Sequence, residues 1–458
     1  MTVSLALRGV TIIDGTGQPP IEDGVVLIAG DRISALGRAD EVQVPAGVPV
    51  IEGAGKTVLP GLADMHAHFC GGWDGESTDF LSYQRHLNSY LYSGVTTFFD
   101  VGNVLPYIAQ LRQEIYAGRI QGPRILMVGP LIDGPDASWG PISQIITSIA
   151  QIPSVVAGLA ASGVDALKAY SQLSFMHVAA VAREGEKYGL PVVLDAWRLI
   201  GGLDMMKYTG IKAWAHLDGG GPMEDTEVQF MVDNGLFQFT TLTVYESFAL
   251  RRLRDTSFLE QPLIADTVPD YTIKALRQHA AEAVANPGEK NLTSASRLEE
   301  AMKNALTLHE AGVPLVAGTD APYPGVFFGE GLHRELELLV EAGLSPVAAI
   351  ACATGNAARM LRAEREWGTI APGLVADLVL VDGRPDQDIS LSRNVETVIQ
   401  AGKVLDREAL KYDPDREIAF RDVSVGMTQE ANPLRDLSKD KGSAGGSLEQ
   451  EGKGGNTS

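Results

Sequence analysis

The sequence predicts an α/β fold: a (β/α)8 TIM barrel with a small β-sandwich domain formed by the N- and C-terminal segments. Short apolar runs alternate with longer helix-like stretches through the middle of the chain, and that alternation implies parallel strands. Eight such runs can be counted, which favours a closed barrel over an open sheet. Strand-and-turn patterns flank the region on both sides. The chain has 458 residues, enough for a barrel of about 250 residues and a smaller accessory domain.

In chain order, residues 1–57 form the first half of the small β domain. Apolar residues cluster or alternate over 3–7, 10–13, 25–28 and 33–36, separated by turn signals such as Asp14-Gly15 and Gly30-Asp31. The barrel is expected over 58–365. Its eight runs are 58–63, 95–101, 124–128, 166–169, 192–194, 213–215, 237–244 and 315–317. Helix-like stretches fall between them, at 82–92, 107–117, 177–188, 296–311 and 333–342. Residues 366–412 return to strands, at 376–381, 395–400 and 403–405, with turns at Pro372-Gly373 and Asp382-Gly383. Residues 413–458 form an extension, and from about 438 its Gly, Ser, Lys and Glu composition predicts disorder.

Hydrophobic residues make up 45% of the chain and charged residues 21%, so a large core is affordable. The 58 acidic and 37 basic residues give a net charge of -21, which repels phosphate backbones and argues against nucleic acid; solubility is the plainer reading of that charge. Cys70 and Cys352 are the only cysteines, too few for a disulfide framework. No signal-peptide-like start and no apolar run of membrane length is present, so a cytoplasmic location is expected.

Four strand ends carry metal-competent side chains. His66 and His68 end the first run, and residues two apart on a strand share a face, so both imidazoles can grip one ion. Two solvated turn histidines are the alternative. Lys168 ends the fourth run in apolar surroundings, where an ammonium is unfavourable unless paired or chemically altered. Reaction with CO₂ would make it an anionic carbamate able to bridge metals; the alternative is a salt bridge to Asp320 or Asp195. His216 ends the sixth run. Asp320 ends the eighth, where it can ligate metal and take a proton from water, or else cap the following helix. Barrel active sites are built at this end of the strands.

These residues resemble the amidohydrolase superfamily, in particular its imidazolonepropionase-like and prolidase-like branch. The resemblance covers about 3–410 and includes the closing segment Gly368-Thr-Ile-Ala-Pro-Gly-Leu-Val-Ala-Asp377 and the stretch His333-Arg334-Glu335-Leu336. It implies one or two divalent ions, zinc foremost, held by His66, His68, carboxylated Lys168, His216 and Asp320. The family normally has a histidine ending the fifth strand, where this chain has Asp195. Asp195 is a further metal ligand or a carboxylate that orients His216. As a harder oxygen donor it tilts preference toward manganese or iron, and leaves a second ion weakly bound or absent.

The expected function is hydrolysis of an amide-like C–N bond in a small apolar or aromatic substrate, such as an N-acyl amino acid, dipeptide or carbamate. Asp320 is the expected general base. Ester or lactone hydrolysis, or deamination, would use the same residues. A metal-poor barrel that only binds a ligand is the non-enzymatic alternative, and a homo-oligomer is compatible with either. Tyr170, Trp197, Tyr245 and His333 are candidate substrate contacts. Trp73, Trp139, Tyr323, Phe327 and Phe328 are further candidates for aromatic walls, unless they simply pack the loops.

Overall fold

The computed structural model describes residues 2–195 and 209–416. The candidate Trp197 and the tail expected to be disordered lie outside these residues. The chain divides into two compact units, Met1–Tyr412 and Asp413–Ser458; the architecture that follows is that of the first.

Five strands come first: β1 (Leu5–Ile12), β2 (Ile21–Ala29), β3 (Arg32–Arg38), β4 (Val50–Glu52) and β5 (Lys56–Pro60). Ten more build the barrel and its rim: β6 (Leu62–Ala67), β7 (Val95–Asp100), β8 (Arg124–Met127), β9 (Leu131–Asp133), β10 (Ser143–Ile145), β11 (Leu167–Ala169), β12 (Val192–Leu194), β13 (Ala213–Trp214), β14 (Phe237–Phe239) and β15 (Leu315–Val316). The last three are β16 (Leu378–Asp382), β17 (Val395–Gln400) and β18 (Lys403–Val404).

The barrel strands are β6, β7, β8 with its continuation β9, then β11 to β15, all paired in parallel. The ring closes where Met65 N donates to Ala317 O at 3.0 Å and His68 N to Ala321 O at 2.8 Å. Successive residues on each strand face opposite sides. Phe99, Val193 and Val316 fill the interior with Met65 and Phe239. Their neighbours Phe98, Val192 and Leu315 face outward and pack under helix residues such as Leu87, Val181, Leu298 and Leu336. Each such side chain, once buried, contributes about 1.5–3 kcal/mol.

The small domain is one hydrogen-bonded sheet in the order β18-β17-β16-β5-β1-β2-β3, with β4 on β1. It curls until its ends meet: Ile33 of β3 and Ile399 of β17 share one apolar cluster, and Ile33 N donates to Leu374 O at 2.9 Å.

Three sequence expectations are corrected. The run 58–63 is two elements: Pro60 ends β5 in the small sheet and Leu62 starts β6 in the barrel. Gly61 lies between them against Thr96, where a Cβ would come within 2.1 Å of the Thr96 hydroxyl. The run 237–244 is strand only to Phe239 and helix from Leu242, because apolar residues alone do not set the period. The runs 3–7 and 10–13 are a single strand, β1, whose register against β2 slips between Arg8 and Val10.

A buried ion cluster ties barrel to small domain. Glu330 opens the helix Glu330–Glu341 and is paired with Arg252 and with Arg393, which lies between β16 and β17. Burial pushes the Glu330 carboxyl up, but the two guanidinium charges and their hydrogen bonds prevail and hold it down at about 2. Its folded value lies below the usual ~4.3, so this stabilisation is present above that pH and is lost as pH falls through the folded value. Glu330→Gln is expected to cost about 3 kcal/mol in urea unfolding at neutral pH. The difference from wild type should shrink on acidification toward pH ~3.

Candidate metal centre

The first two ligand candidates owe their aim to a β-bulge. The β6–β7 register slips between Asp64 and Ala67, so Met65 and His66 both turn inward, and His68 follows two residues later. His66 is fully buried. Burial first, then the charges of Lys168, His216 and His68, hold its pKa well below the usual value, so the ring is neutral, the form that ligates a metal. His68 is held by a 3.1 Å contact from Nδ1 to Gly102 O.

Lys168 projects from β11 into the interior with no exposed surface. Its Nζ lies 2.8 Å from Asp195 Oδ2 and 3.2 Å from His66 Nε2. The unmodified lysine is thus salt-bridged to Asp195. Asp195 follows β12, and Nε2 of His216 is 3.2 Å from the same Oδ2. Burial pushes the Asp195 carboxyl up, but Lys168 and His216 together keep it below the usual carboxylate range. His216 has a left-handed backbone, φ 64°. Ala215 before it faces the interior, and the left-handed bend folds the ring back over that interior instead of outward. Its Nδ1 meets Thr241 Oγ1 at 2.7 Å. Thr241 therefore orients His216 from behind, while Asp195 stands on the ring's inner nitrogen.

Asp320 follows β15, also left-handed at φ 57°. Its Oδ1 lies 3.4 Å from His68 Nε2 and 3.5 Å from His66 Nε2. It caps no helix; the following helix starts after Gly329. Gly318 allows this approach, since a Cβ there would lie 2.5 Å from His66 Cβ and 2.7 Å from His66 N. Outside the barrel, Asp64 accepts from Thr319 N at 3.0 Å and Thr319 Oγ1 at 2.7 Å. That bond locks the first strand to the eighth, and burial raises Asp64 to about 7.

Among the described residues, two groups could therefore hold a metal ion, His66-His68-Asp320 and His66-Asp195-His216, each with its donor atoms within 4.8 Å of one another. The chemistry of these donors fits a divalent cation: neutral imidazole nitrogens with carboxylate oxygens. Asp195 Oδ1 is buried and has no hydrogen-bond partner among the described residues, as expected of a carboxylate suited to a cation.

The candidate substrate contacts fare unequally. Tyr170 stands beside the centre, its ring centroid 5.7 Å from Lys168 Nζ and its hydroxyl accepting from Trp139 Nε1 at 3.1 Å. Burial, and after it the charges of Asp320 and Asp195, push the Tyr323 hydroxyl up. Tyr245 is buried with its hydroxyl donating to Leu217 O, next to His216. His333 is a correction. It is fully buried, its ring between Ser93 O at 2.8 Å and Ser392 Oγ at 3.0 Å. Ser93 precedes β7, so His333 serves the end of the barrel opposite the ligands. Phe327 and Phe328 are core residues.

Sequence reasoning overlooked Glu335, on the other face of the helix that carries His333. Glu335 accepts from Leu242 N at 2.9 Å and Thr243 N at 2.8 Å. It thereby pins the turn that carries Thr241, and burial raises it to about 6. Its place in the quoted His-Arg-Glu-Leu stretch was the available signal.

The model of the amidohydrolase family matches residues 57–405, and the chain belongs to that family. It is a hydrolase acting on carbon–nitrogen bonds. Among curated proteins, an imidazolonepropionase from Shouchella clausii (strain KSM-K16) is 25% identical over 437 residues, covering 84% of this chain and 86% of its own. A 5-methylthioadenosine/S-adenosylhomocysteine deaminase from Caldanaerobacter subterraneus is 24% identical over 90% of this chain and 96% of its own. Among solved structures, a candidate prolidase from Bifidobacterium longum superposes with a TM-score of 0.72 at 25% identity, over 93% of this chain and 100% of its own. No helix among the described residues is long and apolar enough to cross a membrane.

Removing the brace behind His216 tests the geometry. Thr241→Val is expected to weaken zinc binding about 10- to 100-fold, measured by competition with a chromophoric chelator. The melting temperature should move little.

Proposed function

We propose that this chain hydrolyses an amide-like C–N bond of a small molecule, such as a dipeptide, N-acyl amino acid or carbamate, at a centre of one or two divalent ions. The carrying observation is that His66 belongs to two ligand groups at once, with Lys168 Nζ between His66 and Asp195. In this reading His66, His68, His216, Asp195 and Asp320 are ligands. Zinc suits the imidazoles, and the Asp195 oxygen also admits manganese or iron. A divalent ion bound here supplies acidification of water and polarisation of the scissile carbonyl.

The chain's own residues do the rest. Asp320, held within reach of both His66 and His68, accepts the proton of the attacking water and returns it to the leaving nitrogen. Lys168 as an ammonium would repel a cation beside Asp195. Addition of CO₂ to its amine, with loss of a proton, would replace that positive charge with two ligand oxygens. Tyr170, Trp139 and Tyr323 form an aromatic wall on the substrate side. The small domain is read as a sandwich of the two chain ends, the enzyme as cytoplasmic, and a homo-oligomer as compatible with the fold.

A deaminase reading is favoured by deaminase relatives, and release of ammonia rather than an amine identifies it. Asp320→Asn is expected to lower kcat at least about 100-fold while much of the metal, measured by atomic emission, is retained through the remaining ligands. Full turnover in that variant refutes the proton role. Growth or incubation with carbon-13 bicarbonate should give a carbamate resonance that is absent from Lys168→Ala. No resonance in the metal-loaded wild type would mean that Lys168 works as the free amine.

A further inference from the structure

Asp133 ends β9 and has no exposed surface. Its Oδ1 accepts from Gly134 N at 2.9 Å and from Gln172 N at 2.8 Å. Its Oδ2 is buried and has no hydrogen-bond partner. A buried carboxylate oxygen left in this state is destabilising, so the position calls for a donor that none of the described residues provides.

The register shows where that oxygen faces. Ile132 pairs with Ala169, and both belong to the outer apolar layer. Strand alternation therefore turns Leu131 and Asp133 inward, on the side of Lys168 and Tyr170. Leu131 agrees: a Cβ built on Gly102 would lie 2.8 Å from Leu131 Cδ2 and 3.0 Å from the His68 ring. Asp133 stands two residues farther toward the mouth, next to Ile132, whose carbonyl accepts from Tyr170 N at 2.9 Å. Burial, and after it the charge of Asp195, raises its carboxyl above the usual range. Lys168, a cation inside this mouth, is committed to Asp195.

We propose that Asp133 determines specificity by receiving a protonated amino group of the substrate on its free oxygen. The inference rests on the hydrolase reading of the same centre and narrows its substrate class to amides that carry a free amine, such as aminoacyl compounds. An ammonium donates the missing hydrogen bond, and its charge offsets the repulsion between Asp133 and Asp195. An N-acylated or carbamate nitrogen brings no charge and fits the oxygen poorly.

The test uses the full-length, metal-loaded protein and a matched pair of ligands: an amino-acid amide and its N-acetyl derivative. Calorimetry on the wild type should show the free amine bound about tenfold or more tightly than the acetylated form. Asp133→Asn keeps the Oδ1 acceptor and the shape, so it should fold, which its melting temperature verifies; in it the preference should collapse toward one. Equal binding of the two ligands by the wild type, no binding of the amine, or a preference that persists in Asp133→Asn overturns the assignment. Turnover is read separately on the same pair. Amine-selective binding with neither compound cleaved removes the hydrolysis reading and leaves Asp133 assigned, whereas cleavage without amine preference does the reverse.

Discussion

The return of the last barrel strand to the first is the constraint on which the rest of the site depends. Asp320 N donates to His66 O at 2.6 Å, so the proton acceptor and the histidine pair are set by one backbone bond. The Asp64 clamp on Thr319 spans 255 residues of sequence, and Gly318 lets the two backbones approach. Were this seam to open, the two ligand groups that share His66 would lose their common member. The buried clamp is the reason a carboxylate is tolerated there: each of its oxygens has a donor.

The centre gathers polar groups where water is scarce, and its surroundings offset that cost in distinct ways. His66 stays neutral, Lys168 and Asp195 neutralise each other, and Glu335 receives two backbone N–H groups. His216, Thr241 and Asp320 accept left-handed backbones, each costing about 1–3 kcal/mol for a non-glycine residue. All three stand two to four residues beyond the ends of barrel strands, where a sharp change of direction swings a side chain over the mouth. Strain, burial and charge thus concentrate at one rim, as expected for a catalytic end of a barrel. The opposite end is occupied by structural contacts such as that of His333 with Ser93.

Much of this was legible beforehand because strand period and residue chemistry are local properties. The eight apolar runs located the barrel strands, and His66, His68, Lys168, Asp195, His216 and Asp320 all stood at or just beyond strand ends. The misses have physical reasons. The run 237–244 mixes strand with helix because a short apolar stretch carries no period of its own. His333 shares a motif with Glu335, yet residues two apart on a helix point to different sides, so proximity in sequence said nothing about which one braces the site.

The sequence alone determined the alternation of strand and helix, the identity of the donor side chains and the departure at Asp195, because these are read residue by residue. Only the tertiary structure decided that the two ligand groups share His66, that Thr241 rather than Asp195 stands behind His216, and that one oxygen of Asp133 has no partner among the described residues. Each of those depends on a register slip, a left-handed bend or a contact between distant strands. A pattern along the chain cannot encode them, since they arise only when the barrel closes and fixes which side chains meet at its rim.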